Sequence, residues 1–184
     1  MRYFVDAEFN GFGGELISLA AVPETGTRPH FYEAVGCQKP SLWVRINIIP
    51  VLQVSPRSWG EVAHLFATYL DADPAPVIVS DCPEALAHAA MLLVDRGGQR
   101  LMRARVRFEL LPETEFSAQA HSETPFNAYR DAIALRDWVL AEEARTAPRP
   151  KAAPARTKLR RPSSTRRRAS DAVPAAIPNA SLGA

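Results

Sequence analysis

Two acids separated by one residue close the first apolar run of the chain, in MRYFVDAEFNGFGGELISLAAV. In an extended strand, residues i and i+2 project from the same face. Asp6 and Glu8 therefore point the same way, about 6–7 Å apart along the backbone. Such a pair suits two carboxylates that share a divalent ion or bridge a pair of ions. The competing reading is a frayed strand end carrying two solvated acids. A third acid, Asp81, ends another apolar run, PVIVSD, and in open α/β sheets ligands gather outside the carboxyl ends of the strands. The same stretch, D-C-P-E, also fits a helix N-cap with Pro83 in the first turn and Glu84 at the third helical position. A fourth acid, Asp131, shares an i, i+3, i+7, i+10 stripe with Ala128, Leu135 and Trp138. A buried, unpaired carboxylate is costly. Asp131 therefore calls for an arginine, the wet edge of a tilted stripe, or a metal supplied jointly with Asp6 and Glu8.

The elements that must position these acids alternate between strand and helix signals. RYFVD, ELISLAAV and PHFYEAV read as three strands, the first two joined by Gly11, Gly13 and Gly14 in a connection where φ can be positive. SLWVRINIIPVLQ reads as a short helix broken at Pro50. SPRSWGEVAHLFATYLDA places Trp59, Val62, Ala63, Phe66 and Leu70 at helical spacing. APVIVSD is a strand, PEALAHAAMLLVDRG a helix that stops at Gly97 and Gly98, and ARVRFELL a strand of alternating basic and apolar residues, where Arg105 and Arg107 share one face with the preceding Arg103. TPFNAYRDAIALRDWVLAEEA is a final helix with Thr124 as N-cap and Pro125 at its first position. Three strands in series followed by βα units predict a mixed α/β sheet covered by helices.

The net charge of +2 hides a split. Residues 1–144 hold 12 Lys/Arg and 19 Asp/Glu, a balance of −7, whereas residues 145–184 hold 10 Lys/Arg and one acid, a balance of +9. The second segment is rich in Ala, Pro, Ser and Arg and lacks aromatic residues, so it is expected to be a disordered tail. Its run KLRRPSSTRRR is either a polyanion contact, able to touch phosphates, or a solvated tail. No run of 18 apolar residues is present, which argues against a membrane span, and the N-terminus lacks the apolar core of a secretory peptide. Cys37 and Cys82 have no metal-type spacing and read as reduced thiols of a cytoplasmic protein.

The order of the acids, D-x-E on the first strand, an acid after a middle strand and an acid on the final helix, resembles the DEDD superfamily of 3′–5′ exonucleases. More narrowly, DAEFNGFGGELISLAAV and NAYRDAIALRDWVL are similar to the bacterial 3′–5′ exoribonuclease-like domains related to ribonuclease T. Their opening reads D-T-E-F followed by E-L-I-S, and their last helix reads H-N-A-L-x-D-A-x-A-L-R. The resemblance covers roughly residues 1–144 and is carried by its two end motifs. It implies a ribonuclease H-like fold over 1–144, with residues 145–184 as the tail. It further implies hydrolysis of single-stranded RNA, with DNA as a second substrate, from the 3′ end. Two Mg²⁺ or Mn²⁺ ions would be held by Asp6, Glu8, Asp81 and Asp131, and a homodimer is a further expectation. Phe9 and Phe12 are expected to stack on the terminal base; core or hairpin packing competes for Phe9 and for Trp43.

The chain also departs from the pattern. The family's general-base His, five residues before the last acid, is Phe126 here, and the position of the alternative tyrosine is Asn127. His121 is the substitute base. Asp81 can also match a polar residue four positions before the family's second acid; that acid would then fall at Ala85, with Glu84 beside it as substitute ligand. Phenylalanine cannot accept a proton, and loss of a general base costs on the order of 10²- to 10⁴-fold. A catalytically impaired nucleic-acid-binding or regulatory module of the same fold is therefore the alternative expectation.

Overall fold

A computed structural model describes residues 1–112 and 115–147, and residues 1–147 make one compact unit. The strands are β1 (Arg2–Phe9), β2 (Leu16–Pro23), β3 (Phe31–Ala34), β4 (Val77–Ser80) and β5 (Arg107–Leu110). They form one five-stranded sheet in the order β3-β2-β1-β4-β5. β1 pairs antiparallel with β2, and β2 with β3, whereas β1–β4 and β4–β5 are parallel. The helices are α1 (Leu42–Asn47), α2 (Trp59–Asp71), α3 (Pro83–Met91), α4 (Ala118–His121) and α5 (Ala128–Thr146). The chain is therefore an α/β protein with a mixed sheet flanked by helices. None of the described helices is long and apolar enough to cross a membrane.

The alternation along β1 sorts the two layers. Tyr3, Val5 and Ala7 face Val62, Ala63, Phe66 and Leu70 of α2 and Ala85 and Ala89 of α3 in the larger core cluster. On the opposite face, Phe4 packs with Val77, Val79 and the α5 residues Leu135 and Val139. Asp6 and Glu8, in step with Phe4, lie on the α5 side. Arg2 closes the other end of that side, donating to both carboxylate oxygens of Glu143 near the end of α5, at 2.5 and 2.7 Å, and to Glu24 at 2.7 Å. α2 begins with a full capping box between Ser58 and Glu61, which satisfies two of the first-turn amides.

Several local expectations are corrected. α5 begins at Ala128 with Asn127 as its N-cap, not at Thr124. Asn127 accepts from the Arg130 amide, and the preceding Phe126 is turned to φ 69°, a conformation that stops the helix from starting earlier. The helix continues to Thr146, so the compact unit closes at Ala147 rather than at 144; the rest of the expected tail lies outside the described residues. α3 ends at Met91, before Gly97 and Gly98, with Leu92 as its C-cap and both Leu92 and Leu93 buried. Pro50 breaks α1 as expected and sits in a 3₁₀ turn at Ile49–Val51. Of the three alternating arginines, only Arg107 lies in β5. The amide of Arg103 instead donates to Asp71 just before the strand.

Candidate metal centre

Asp6 and Glu8 reach the site because β1 is the central strand and its last residues run beyond the end of β4, whose pairing stops at Phe4. β1 keeps its pairing with β2 through Glu8, opposite Ser18, and the register slips only between Glu8 and Phe9. Across the layer, Asp131 sits in the first turn of α5 with 4% of its surface exposed. One carboxylate oxygen each from Asp6, Glu8 and Asp131 lie within 4.8 Å of one another. Ligands around a cation such as Mg²⁺, bound at about 2.1 Å, are about 3–4 Å apart, so small side-chain movements suffice to close the set.

The environment of these acids disfavours negative charge. Burial, then the charges of Glu8, Asp131 and Asp81, pushes the Asp6 carboxyl well above the ordinary range. Burial and the Asp131 charge raise Glu8 to about 7. Burial raises Asp131 to about 6, against the opposing pull of the Ser122 hydroxyl and the Phe126 amide. The two oxygens of the Asp131 carboxylate are placed differently. Its Oδ2 accepts from the Phe126 amide at 3.0 Å, a helix-capping bond that the left-handed turn at Phe126 aims. Its Oδ1 is buried without a hydrogen-bond partner among the described residues. Among the described residues no arginine pairs with Asp131, and at 4% exposure it does not lie at a wet edge. Three converging hard oxygen donors, one an orphan, suit a hard divalent cation that would relieve the mutual repulsion.

The other expected site residues are placed differently. Asp81 follows β4, is raised by burial, and adds to the field on Asp6 and Asp131, but it is outside the three that converge. It is not a helix cap either, since Cys82 takes that position without a side-chain bond. Glu84 is not drawn into the cluster as a substitute ligand. Its Oε1 accepts from the Gly13 amide at 2.6 Å and lies 4.0 Å from Nε2 of buried His88, tying the glycine loop to α3. Ala85 is fully buried in the core on the far side of the sheet. His121 is likewise not gathered in: its Nδ1 meets the Ser117 carbonyl at 2.9 Å and its ring stacks on Phe116.

Of the aromatics, Phe12 is 97% exposed at the tip of the glycine loop, whereas Phe9 is half-buried and stacked on His88. Phe9 is thus engaged in packing. Phe126 packs edge-on against half-exposed Trp43 and joins the cluster of Ile17, Val44 and Ile48. A cavity of about 580 Å³ lined by Gly14, Trp59, His88 and Arg96 lies toward α2 and α3 and is separate from the acids.

Sequence reasoning missed Ser18, Tyr32 and Asn127, which line the back of the cluster. The Tyr32 hydroxyl donates to the Leu52 carbonyl at 2.5 Å, and its ring stacks on Tyr129. Burial raises this phenol to about 12, with Ser18 and Asn127 opposing the shift and Glu8 and Asp131 adding to it. The alternation of PHFYEAV held the signal for Tyr32, but only the β1–β2–β3 register, which sets Tyr32 beside Ala20 and Ala20 beside Asp6, brings it to the cluster. No family model matches this chain, and no curated protein sequence matches it.

Proposed function

We propose that the chain is a metal-dependent 3′–5′ exoribonuclease of the DEDD type on a ribonuclease H-like fold. The convergence of Asp6, Glu8 and Asp131 from strand β1 and helix α5 carries this reading. The antiparallel run β3-β2-β1 continued by two parallel strands is consistent with that fold. Asp6, Glu8 and Asp131 would hold Mg²⁺ or Mn²⁺, with Asp81 contributing charge from the end of β4. Bound there, a divalent pair supplies an activated water and stabilises the leaving 3′ oxygen. Asp6 lies deepest in the field and anchors the centre, while Asp131 is oriented by the Phe126 amide. Phe12, exposed on its loop, is free to stack on a base of a single strand; RNA is the favoured substrate and DNA the second.

A second reading rests on a specific observation. Position 126 holds a ring that is packed on Trp43 and cannot take a proton, and His121 is engaged with Ser117 and Phe116. With neither position serving as a base, the same centre would act as an impaired nucleic-acid-binding module.

Purified protein incubated with 5′-labelled single-stranded RNA and Mn²⁺, beside an Asp6→Ala control, separates the two. The expected result is a ladder of 3′-shortened products that Asp6→Ala abolishes. RNA binding without any ladder refutes the enzyme and leaves the binding module.

A further inference from the structure

The two edges of the sheet are treated differently. Beyond β3, the chain returns to cover the edge: the Arg57 amide donates to the Ala34 carbonyl at 2.9 Å, and the Gly36 amide donates to the Arg57 carbonyl at 3.1 Å. The Arg57 guanidinium also pairs with Glu33 on that strand. Beyond β5, no described residue continues the sheet. All four β5 residues are exposed, including Phe108 at 39% and Leu110 at 49%. Bare edges template pairing with another chain and are usually blunted. Here only β3 is.

Backbone direction shows which β5 groups are open. The amide of Arg107 donates to Pro76 and the amide of Leu111 to Ser80, both toward β4. In a parallel ladder the alternate residues point the other way, so the N–H and C=O of Phe108 and Leu110 face outward. Any added strand must bond to those two residues.

We propose that β5 pairs antiparallel with β5 of a second copy of this chain, about a two-fold axis at Phe108, joining two sheets into one of ten strands. The charges select the occupant and the register. With Phe108 opposite the partner's Phe108 in a hydrogen-bonded pair, Arg107 falls opposite the partner's Glu109, and Glu109 opposite the partner's Arg107. Both ion pairs occupy non-hydrogen-bonded positions, where facing side chains approach most closely. The alternative register, Phe108 against the partner's Leu110, sets Glu109 against the partner's Glu109 and is repulsive. Neither Arg107 nor Glu109 has an ion pair among the described residues of its own chain, so both are available. The two-fold axis makes the contact self-complementary and closed, which yields a dimer rather than a fibre. The paired Phe108 rings would lie beside an apolar cavity of about 170 Å³ between Leu93, Met102 and Val106.

The test is sedimentation equilibrium of the full chain and of three variants, Arg107→Glu, Glu109→Arg and the double swap. The wild type is expected to be dimeric at micromolar concentration. Each single variant places like charges across both symmetric pairs and should weaken the dimer on the order of tenfold or more. The double swap restores both pairs with opposite polarity and should return the dissociation constant to near the wild-type value, serving as its own control for folding. A monomeric wild type overturns the proposal, whether because the edge is idle or because another part of the chain covers it. A dimer indifferent to both single variants overturns it by placing the interface elsewhere. Single variants that dissociate without rescue by the swap overturn the Arg107–Glu109 register.

Discussion

Replacing Asp131 by Asn in the metal-free protein should stabilise it above neutral pH. The Asp131 carboxyl rises from an ordinary 3.8 to about 6 in the fold, chiefly through burial. A carboxyl whose folded value exceeds its unfolded value binds more protons in the native state between the two. Its contribution to stability therefore falls as pH rises through that window, and the full cost is present above it. At about 1.4 kcal/mol per tenfold in proton affinity, the ionised Asp131 costs at most about 3 kcal/mol at pH 8. Asparagine carries no charge, and its amide oxygen can still accept the Phe126 N–H now bonded to Oδ2 at 3.0 Å. The variant should gain about 1–3 kcal/mol at pH 8, about half as much at pH 5 because that pH lies inside the window between 3.8 and about 6, and lose the Mn²⁺-induced stabilisation expected of the wild type. Urea denaturation with chelator at pH 5 and pH 8, and with Mn²⁺ at pH 8, reads all three. If Asp131→Asn destabilises the metal-free protein equally at both pH values, the carboxylate is a helix cap alone and the case for a cation fails. Glu8, raised to about 7, works in the same direction, so metal-free wild type should itself weaken between pH 4.5 and 7.

Two further substitutions probe the surroundings. In Gly14→Ala the new methyl would lie 2.3 Å from the Asn10 carbonyl oxygen and 2.8 Å from that of Gly11. The loop must open at a cost on the order of 2 kcal/mol; an unchanged melting temperature would show that the loop is not held in this form. Phe126→His replaces an apolar phenyl packed on Ile17, Val44 and Ile48 with a polar imidazole and should cost about 1–3 kcal/mol. Its effect on the RNA ladder should be a gain on the order of tenfold, below the 10²- to 10⁴-fold of a well-placed base, because the side chain starts from an apolar nest. An unchanged rate would show that the missing base is not the limiting defect.

The parts of the fold legible in the sequence are those with a strong local period. The Val62–Leu70 stripe of α2, the β-branched run of β4 and the Ala128–Asp131–Leu135 stripe of α5 each announce both type and buried face. Asp131 was legible for the same reason, as an acid in an apolar row. The start of α5 was not: Thr124-Pro125 is a good local signal, but Asn127 and the Asp131–Phe126 bond override it. Asp81 looked like a cap because D-C-P-E has the composition of one, and composition does not reveal which way the strand hands over to the helix. Ser18 and Tyr32 depend on the pairing of β1 with β2 and β2 with β3, information that resides in no single segment.

The carboxylates that converge at the end of β1 come from positions 6, 8 and 131, nearly the whole length of the folded unit apart. The first two are synthesised at once, but their companion arrives only with the final helix. Until α5 docks, the strand offers two acids without the third, and the Phe126 amide that orients Asp131 has nothing to aim. Whatever the centre does, it is latent during synthesis and in any fragment truncated before α5. Competence at the site thus reports that the fold has closed.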